Sequence, residues 1–151
     1  MIVTAANSKL IGGGGVDAAV HKAAGPNLLK ALKKFNGCDS GDAVITKAFN
    51  LNAKYVIHAV GPIYEGGDNQ EEGLLYSAYK KSIKLSKSVD ARTVLFPAIS
   101  TGVYGYPMKE AAKIAVEALN FSCQHYAYTG EVSMVCFDNE SFSVFKALLN
   151  C

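Results

Sequence analysis

Several features that mark common protein classes are missing from this sequence of 151 residues. It has no apolar run of the roughly 18 residues that a membrane-spanning helix needs. Its first ten residues, "MIVTAANSKL", lack the basic region and the long apolar region of a secretory signal. The net charge is only +2, which gives no ground for a broad nucleic-acid surface. We therefore expect no membrane insertion and no sequence-specific nucleic-acid partner.

Paired metal ligands are also missing. The four cysteines, Cys38, Cys123, Cys136 and Cys151, form no C-x-x-C pair, so the spacing argues against a zinc site. Free thiols in a reducing compartment explain such scattered cysteines, which places the protein in the cytoplasm. No cluster of metal ligands is visible in the sequence either. We expect no metal and no cofactor.

What the sequence does contain is an alternation of strand-like and helix-like segments within a single domain, residues 1–151. Half of the residues are hydrophobic, which is enough to bury a sizeable core. Predicted strands lie in "MIVTA", "DAVITKAF", "AKYVIHAV", "RTVLFPAI" and "EVSMVCF". Predicted helices lie in "VDAAVHKAAG", "PNLLKALKKF", "EEGLLYSAYKKSIKLSKS", "MKEAAKIAVEALNF" and "ESFSVFKALLN". This order predicts a three-layer α/β fold with a largely parallel sheet.

Three loops that follow predicted strands concentrate glycine and hydroxyl residues: "NSKLIGGGGVD", "STGVYGYP" and "DNES". Ligands of open α/β sheets bind beyond the carboxyl ends of the strands, so we expect these loops to meet at one cleft. A glycine run lets backbone N–H groups point the same way, and the helix that starts near Val16 adds its positive end. These features favour a phosphate site, and the alternative is that both glycine loops are only tight turns.

Two familiar phosphate motifs do not explain the glycines. The P-loop requires a Gly-Lys-Ser/Thr ending, which is absent. The dinucleotide pattern G-x-G-x-x-G/A is matched by Gly13, Gly15 and Ala18, but its acidic partner Asp39 falls in a predicted loop rather than at the end of a second strand. A nicotinamide oxidoreductase therefore stays open as a rival reading.

Three blocks, "TAANSKLIGGGGVDAAVHKAAGP", "YVIHAVGP" and "FPAISTGVYGYP", together resemble the macro domain, specifically its MacroD-type ADP-ribosyl hydrolase branch. The resemblance covers nearly the whole chain. It implies the macro-domain fold, a three-layer arrangement with a mixed, largely parallel central sheet, and ADP-ribose as the ligand. It also implies that Phe137 stacks on adenine and that Asn7 contacts the distal ribose. The implied ADP-ribose-binding residues are Asn7, Gly13, Gly14, Gly15, Val16, Asp17, Ser100, Thr101, Gly102, Val103, Tyr104 and Phe137.

The resemblance assigns hydrolysis to Asp17, with Asn7, His21 and Tyr104 as its catalytic companions. Cleavage at the anomeric carbon of ribose builds positive charge that a carboxylate can offset while it activates water. Glycosidases usually use two carboxylates, and this loop supplies one, so we expect the bound diphosphate to help position the water. From the residues alone, Asp17 reads as a helix-capping acid and His21 as a packing histidine, although their spacing of four places them on one helical face.

The sequence departs from the family pattern at its beginning. Most relatives carry a preceding strand followed by "GDI", whose Asp accepts a hydrogen bond from the adenine amino group. Without that N-terminal edge strand, we expect "MIVTA" to be more exposed, and we expect weaker ADP-ribose binding with less discrimination of adenine. Thr4 stands where the family signature has its first Asn, and it keeps a hydrogen-bonding group but loses the amide.

The function implied is hydrolysis of ADP-ribosyl esters: removal of mono-ADP-ribose from acidic residues of proteins and deacetylation of O-acetyl-ADP-ribose. The partners are thus ADP-ribose, O-acetyl-ADP-ribose and mono-ADP-ribosylated proteins. The alternative is a non-catalytic module that only reads ADP-ribose. Asp17 separates the two readings, because reader modules often lack this carboxylate. His58, in the strand "YVIHAV", is expected to be a core residue whose ring is satisfied by backbone groups.

Overall fold

The computed structural model of this protein describes residues 1–149, so Cys151 and the predicted end of the last helix at Asn150 lie outside the described residues. The strands are β1 Ile2–Ala5, β2 Ala43–Lys47, β3 Tyr55–Ala59, β4 Thr93–Phe96 and β5 Glu131–Met134. The helices are α1 Gly15–Ala24, α2 Pro26–Leu32, α3 Glu71–Ser88, α4 Met108–His125 and α5 Asn139–Leu149. A short 3-10 helix, Lys33–Phe35, continues α2. Strands and helices alternate as the sequence predicts.

The strands form one sheet in the order β2-β3-β1-β4-β5. The pairings β3-β1, β1-β4 and β4-β5 are parallel, and only β2 at one edge runs antiparallel to its neighbour β3. The prediction of a mixed, largely parallel sheet is therefore confirmed. The carboxyl ends of β3, β1, β4 and β5 consequently open at the same edge of the sheet, which is the edge where ligands of such folds bind.

The expectation that "MIVTA" is exposed is wrong. β1 is the central strand of the sheet, hydrogen-bonded on both sides, and its residues Val3 and Thr4 are 1% and 0% exposed. The strand at the free edge beside β4 is β5, where none of the four residues is fully buried. The edge formed by β5 is therefore separated from β1 by β4, because the order of strands in space differs from their order along the chain.

Helices cover both faces of the sheet, which gives the predicted three layers. Successive strand residues point to opposite faces. Val56 accordingly packs with Val20 and Leu28 from α1 and α2, whereas its neighbour Ile57 joins the core under α3, α4 and α5. Leu28 and Leu32 of α2 are buried, but Leu29 is 36% exposed because it lies about a quarter-turn away from Leu28 on the helix.

Some strands end earlier than the apolar runs suggest. β4 stops at Phe96 because Pro97 has no N–H group to continue the ladder.

Cys38, Cys123 and Cys136 are free thiols, in agreement with the prediction from their spacing. Among the helices of residues 1–149, none combines the length and the apolar character needed to cross a membrane.

The carboxylate of Glu71 fixes the loop that leads into α3. It is 1% exposed, and it accepts hydrogen bonds from the backbone N–H groups of Glu65 and Gly67, both at 2.8 Å, and of Asn69 at 2.5 Å. The N–H group of Glu65, aided by those of Gly67 and Asn69 and opposed by burial, holds the pKa of Glu71 below its ordinary value of 4.5. The same loop begins beside Tyr64, whose N–H donates to the carbonyl of Tyr104 at 2.8 Å.

We predict that this carboxylate gives the protein an acid-sensitive stability. Between pH 4.5 and the lower folded pKa of Glu71, the unfolded chain binds a proton that the folded chain does not, so stability falls as pH falls through that window. Glu71→Gln should lower the melting temperature at pH 7, and its difference from the wild type should shrink below about pH 4.5. Thermal denaturation across this pH range measures both effects.

Glu72→Gln is the matched control, because Glu72 is the next residue and its side chain is exposed. It should melt like the wild type at every pH. A deficit of Glu71→Gln that stays constant down to pH 3 would contradict the role of the ionised carboxylate.

Candidate functional site

The loops that follow β1, β4 and β5 lie side by side at the carboxyl edge of the sheet, because these three strands are adjacent and parallel. Apolar side chains stand out from this edge into solvent. Phe137 is 99% exposed, Val103 is 98% exposed and Ile11 is 63% exposed, one from each loop. Large apolar side chains exposed at the ligand-binding edge of a fold are candidates for ligand contact. The strand order thus brings the three loops to the same edge of the sheet, and their meeting at one cleft stays a prediction.

The glycine run after β1 is held in shape by Asn7. The side-chain Nδ2 of Asn7 donates to the carbonyl of Gly12 at 3.0 Å, and its Oδ1 accepts the N–H of Ile11 at 3.2 Å. Gly12 and Gly15 have φ angles of +84° and +56°, which side-chain-bearing residues rarely adopt. The two hydrogen bonds of the Asn7 side chain thus stabilise the conformation of the glycine run.

Asp17 lies beneath this loop in the first turn of α1 and is 1% exposed. Its Oδ1 accepts the hydroxyl of Thr4 at 2.9 Å, and its Oδ2 accepts the N–H of Gly13 at 2.8 Å. A carboxylate has about four lone-pair positions, so about two remain free. The bond to Gly13 resembles the reciprocal bond of a capping box, which gives Asp17 part of the capping role weighed above. Thr4 keeps its hydrogen-bonding function despite replacing an amide.

His21 lies one turn after Asp17, as their spacing predicts. Its Nε2 is 3.6 Å from Oδ1 of Asp17, and its side chain is 16% exposed whereas that of Asp17 is 1% exposed. The distance is longer than a good hydrogen bond. His21 therefore borders the carboxylate and separates it from solvent on one side.

The loop after β4 is folded tightly by its own hydroxyl groups. Ser100 has a φ of +69° and is 6% exposed, and its Oγ donates to the carbonyl of Pro62 at 2.7 Å. A Cβ on Gly61 would collide with Ser100, so this glycine allows the loops after β3 and β4 to touch. The Oγ1 of Thr101 donates to the carbonyl of Ala98 at 2.7 Å.

These bonds leave a row of unused donors. Within residues 1–149, the N–H groups of Gly102, Val103 and Tyr104 find no backbone acceptor. The first N–H groups of α1, at the end of the glycine run, are likewise unpaired by the nature of a helix N-terminus. Two rows of N–H groups on adjacent strand ends are an arrangement that binds anions.

Two glycines at this edge have no role within the chain itself. A Cβ on Gly14 or Gly102 would meet nothing within 4 Å, and neither residue has a positive φ. Close approach of a ligand to the backbone is one physical reason for glycine at such a position in a loop. One such glycine lies in each of the two loops.

His58 was expected to be a core residue satisfied by backbone groups, and the second half of that expectation is wrong. It is 0% exposed, its Nε2 lies 3.0 Å from Oγ1 of Thr46, and its buried Nδ1 has no partner among the described residues. Burial, with a smaller contribution from His21, lowers the pKa of His58 to about 3. The ring is therefore neutral near pH 7.

The nicotinamide reading finds no support in the fold. Asp39 precedes β2, the antiparallel edge strand, and does not follow a parallel strand as the acidic residue of a dinucleotide site does. A hollow of about 520 Å³ does lie beside this segment, lined by Ser8, Cys38, Asp39 and Asp42 among others. Its acidic side chains are unsuited to a phosphate group.

Sequence reasoning did not find two contacts of Asp17. The hydroxyl of Thr4 reaches it from the central strand, and His58 lies close by on β3. The only available signal was the alternation of strand residues, because Thr4 and His58 are paired in register and therefore point to the same face.

Comparisons with known proteins agree with this geometry. A family model described as the macro domain matches residues 3–115. A macro domain-containing protein from Methanosarcina mazei is 47% identical over 99% of this chain and 80% of its own length. A protein from Salmonella newport named O-acetyl-ADP-ribose deacetylase is 49% identical over 98% of this chain and 85% of its own length.

Solved structures give the same result. The Oceanobacillus iheyensis macrodomain with ADP superimposes with a TM-score of 0.92 at 40% identity, covering 99% of this chain and 82% of that one. The Trypanosoma brucei macrodomain in complex with ADP-ribose gives a TM-score of 0.90 at 35% identity, covering 98% and 62%. With its sheet order, its glycine loops and these relatives in agreement, the chain belongs to the macro domain family.

Proposed function

We propose that this macro domain binds ADP-ribose along the carboxyl edge of its sheet and hydrolyses esters on the distal ribose. The substrates are O-acetyl-ADP-ribose and proteins that carry single ADP-ribose units on acidic side chains. The observation that carries the proposal is the buried Asp17 carboxylate, held by Thr4 and Gly13 beside two rows of unpaired N–H groups. Relatives about 49% identical are named O-acetyl-ADP-ribose deacetylase, which supports the reaction class.

The diphosphate fits between the two loops. The N–H groups of Gly102, Val103 and Tyr104 face it from one side, and the start of α1 with Gly14, Gly15 and Val16 faces it from the other. Helix dipole and oriented amides both favour negative charge at that position. Phe137, almost fully exposed after β5, offers a ring face to adenine.

Asp17 then receives the proton of the attacking water. The oxygen of the water bonds to the anomeric carbon of the distal ribose, the bond from that carbon to the ester oxygen breaks, and the proton passes by way of Asp17 to the leaving oxygen. A free hydroxyl on ribose and a carboxylic acid result. Gly13 lies over Asp17 and carries no side chain, so in this proposal water reaches the carboxylate through a shift of the glycine run.

Asp17→Asn should bind ADP-ribose with near wild-type affinity but hydrolyse O-acetyl-ADP-ribose at least about 100-fold more slowly, because general-base catalysis is lost while the shape is kept. Acetate release measures the rate, and calorimetry with ADP-ribose measures the affinity. Asp68→Asn, a change at an exposed aspartate in the loop before α3, is the matched control. Near-normal turnover by Asp17→Asn would overturn the assignment, and a wild-type protein that binds but never hydrolyses would be a reader module.

Phe137→Ala should weaken ADP-ribose binding by about 1–3 kcal/mol, or roughly 5- to 150-fold, because one base-stacking surface is removed. Calorimetry should show no such loss with ribose 5-phosphate, which has no base to stack. The control is Phe142→Ala, since Phe142 is also exposed but lies on α5. Equal losses for the two variants would contradict the role of Phe137.

Gly102→Ala tests whether a ligand approaches the backbone. The added Cβ meets nothing in the protein, so the melting temperature should stay unchanged, while affinity for ADP-ribose should fall at least about tenfold. Gly73→Ala is the contrast, because Gly73 is also unobstructed but lies inside α3. It should stabilise the protein by about 0.5–1 kcal/mol and leave binding unchanged. Unaltered affinity in Gly102→Ala would contradict diphosphate binding at this loop.

A further inference from the structure

Three potential metal ligands meet beneath the glycine run, contributed by two elements. Asp17 and His21 lie one turn apart on α1, and His58 lies on β3. One donor atom from each of the three lies within 4.8 Å of those of the other two. The sequence alone does not indicate this group, because His58 is distant from Asp17 and His21 along the chain. Only the packing of α1 on the sheet brings the three side chains together.

The hydrogen bonds of Thr46 favour one tautomer of His58. The Oγ1 of Thr46 donates its single hydrogen to the carbonyl of Lys47 at 2.9 Å. When its hydrogen points to Lys47, Oγ1 accepts from Nε2 of His58, 3.0 Å away, and this arrangement places the ring hydrogen on Nε2. Nδ1 is left as a bare lone pair. It is buried and has no hydrogen-bond partner in residues 1–149.

The separation of Asp17 and His21 is close to that of two ligands of one ion, and the donor atom of His58 lies within 4.8 Å of both. Donor atoms about 2.0–2.1 Å from a tetrahedral ion lie about 3.3 Å apart, and the observed separation of Nε2 and Oδ1 is 3.6 Å. Oδ1 has already accepted the hydroxyl of Thr4, which leaves it one lone pair for an ion. The imidazole of His21 is 16% exposed and provides access from solvent.

We propose that Asp17, His21 and His58 bind a divalent transition-metal ion of the Zn²⁺ class, with the fourth position left to water. Two imidazole nitrogens and one carboxylate oxygen are a ligand set typical of zinc, whereas Mg²⁺ requires mostly oxygen ligands. The bound ion is an inhibitor of the ester hydrolysis proposed above. It draws charge from the carboxylate through Oδ1, which makes Oδ2 a poorer acceptor of the proton from water.

Co²⁺ is the probe for the site, because its visible absorption reports tetrahedral coordination. Titration of the full chain should give one bound Co²⁺, displaced by Zn²⁺ but not by Mg²⁺. His21→Phe and His58→Gln should each weaken binding at least about tenfold, since even loss of an outer partner of a metal ligand costs that much. His125→Phe, which removes an exposed histidine at the end of α4, should bind as the wild type does.

The variants keep every cysteine, so a loss of Co²⁺ binding in His21→Phe or His58→Gln cannot come from the loss of a thiol. Circular dichroism checks that His58→Gln, a change at a fully buried residue, still folds. If His58→Gln does not fold, Co²⁺ binding by His21→Phe alone tests the site. Unchanged Co²⁺ binding in His21→Phe, displacement by Mg²⁺, or no tetrahedral spectrum would each overturn the site.

The inhibitory effect rests on the proposed function, and a second measurement keeps the two apart. Zn²⁺ should reduce acetate release from O-acetyl-ADP-ribose at least about tenfold, and a chelator should restore it. A chain that binds Co²⁺ but never hydrolyses the ester would refute the proposed function and leave the metal site standing. A chain that hydrolyses the ester at equal rates with and without Zn²⁺ would refute the inhibition.

Discussion

The hydrogen bonds to Asp17 are the contacts on which the rest of the site depends. They join the central strand through Thr4, the glycine run through Gly13 and the first turn of α1 through Asp17 itself. A carboxylate that is 1% exposed loses most of its hydration, and hydrogen bonds to a charged group return about 1.5–3 kcal/mol each. The positive end of α1 adds to that compensation. Without these hydrogen bonds, burial of the charged carboxylate beneath the loop would be unfavourable.

The central position of β1 makes this arrangement possible. Because β1 is bonded to β3 and β4 on either side, its residues cannot shift without breaking two ladders. Val3 points into the core under α3 and α4, so Thr4, the next residue, must point towards α1 and Asp17. The central strand of the sheet thus presents the hydroxyl, while the glycine run supplies the other donor. A rigid scaffold with adaptable loops is the common form of a binding site.

Most of the fold could be predicted from local sequence, and the site only in part. The helical spacing of "EEGLLYSAYKKSIKLSKS" matches α3 from Glu71 to Ser88, because amphipathic periodicity is a local property. The position of β1 in the sheet could not be predicted in the same way, since strand order depends on long-range pairing. Asp17 and the loop at Ser100 stood out by composition and by family resemblance. Nδ1 of His58 did not, because the contact between the ring and Thr46, which lies on a different strand, depends on long-range pairing.

The two oxygens of Asp17 face different surroundings, and this separates the chemistry of the site into two sides. Oδ2 lies against Gly13 in the loop where we propose that a ribose ester binds, whereas Oδ1 lies against Thr4 and His21, towards the sheet. A water activated by Oδ2 and an ion held at Oδ1 do not compete for the same space. They compete for the same negative charge, because the carboxylate is one conjugated group. An ion on the inner side therefore weakens the base on the outer side without touching the substrate, and it does so only while His21 and His58 hold it there.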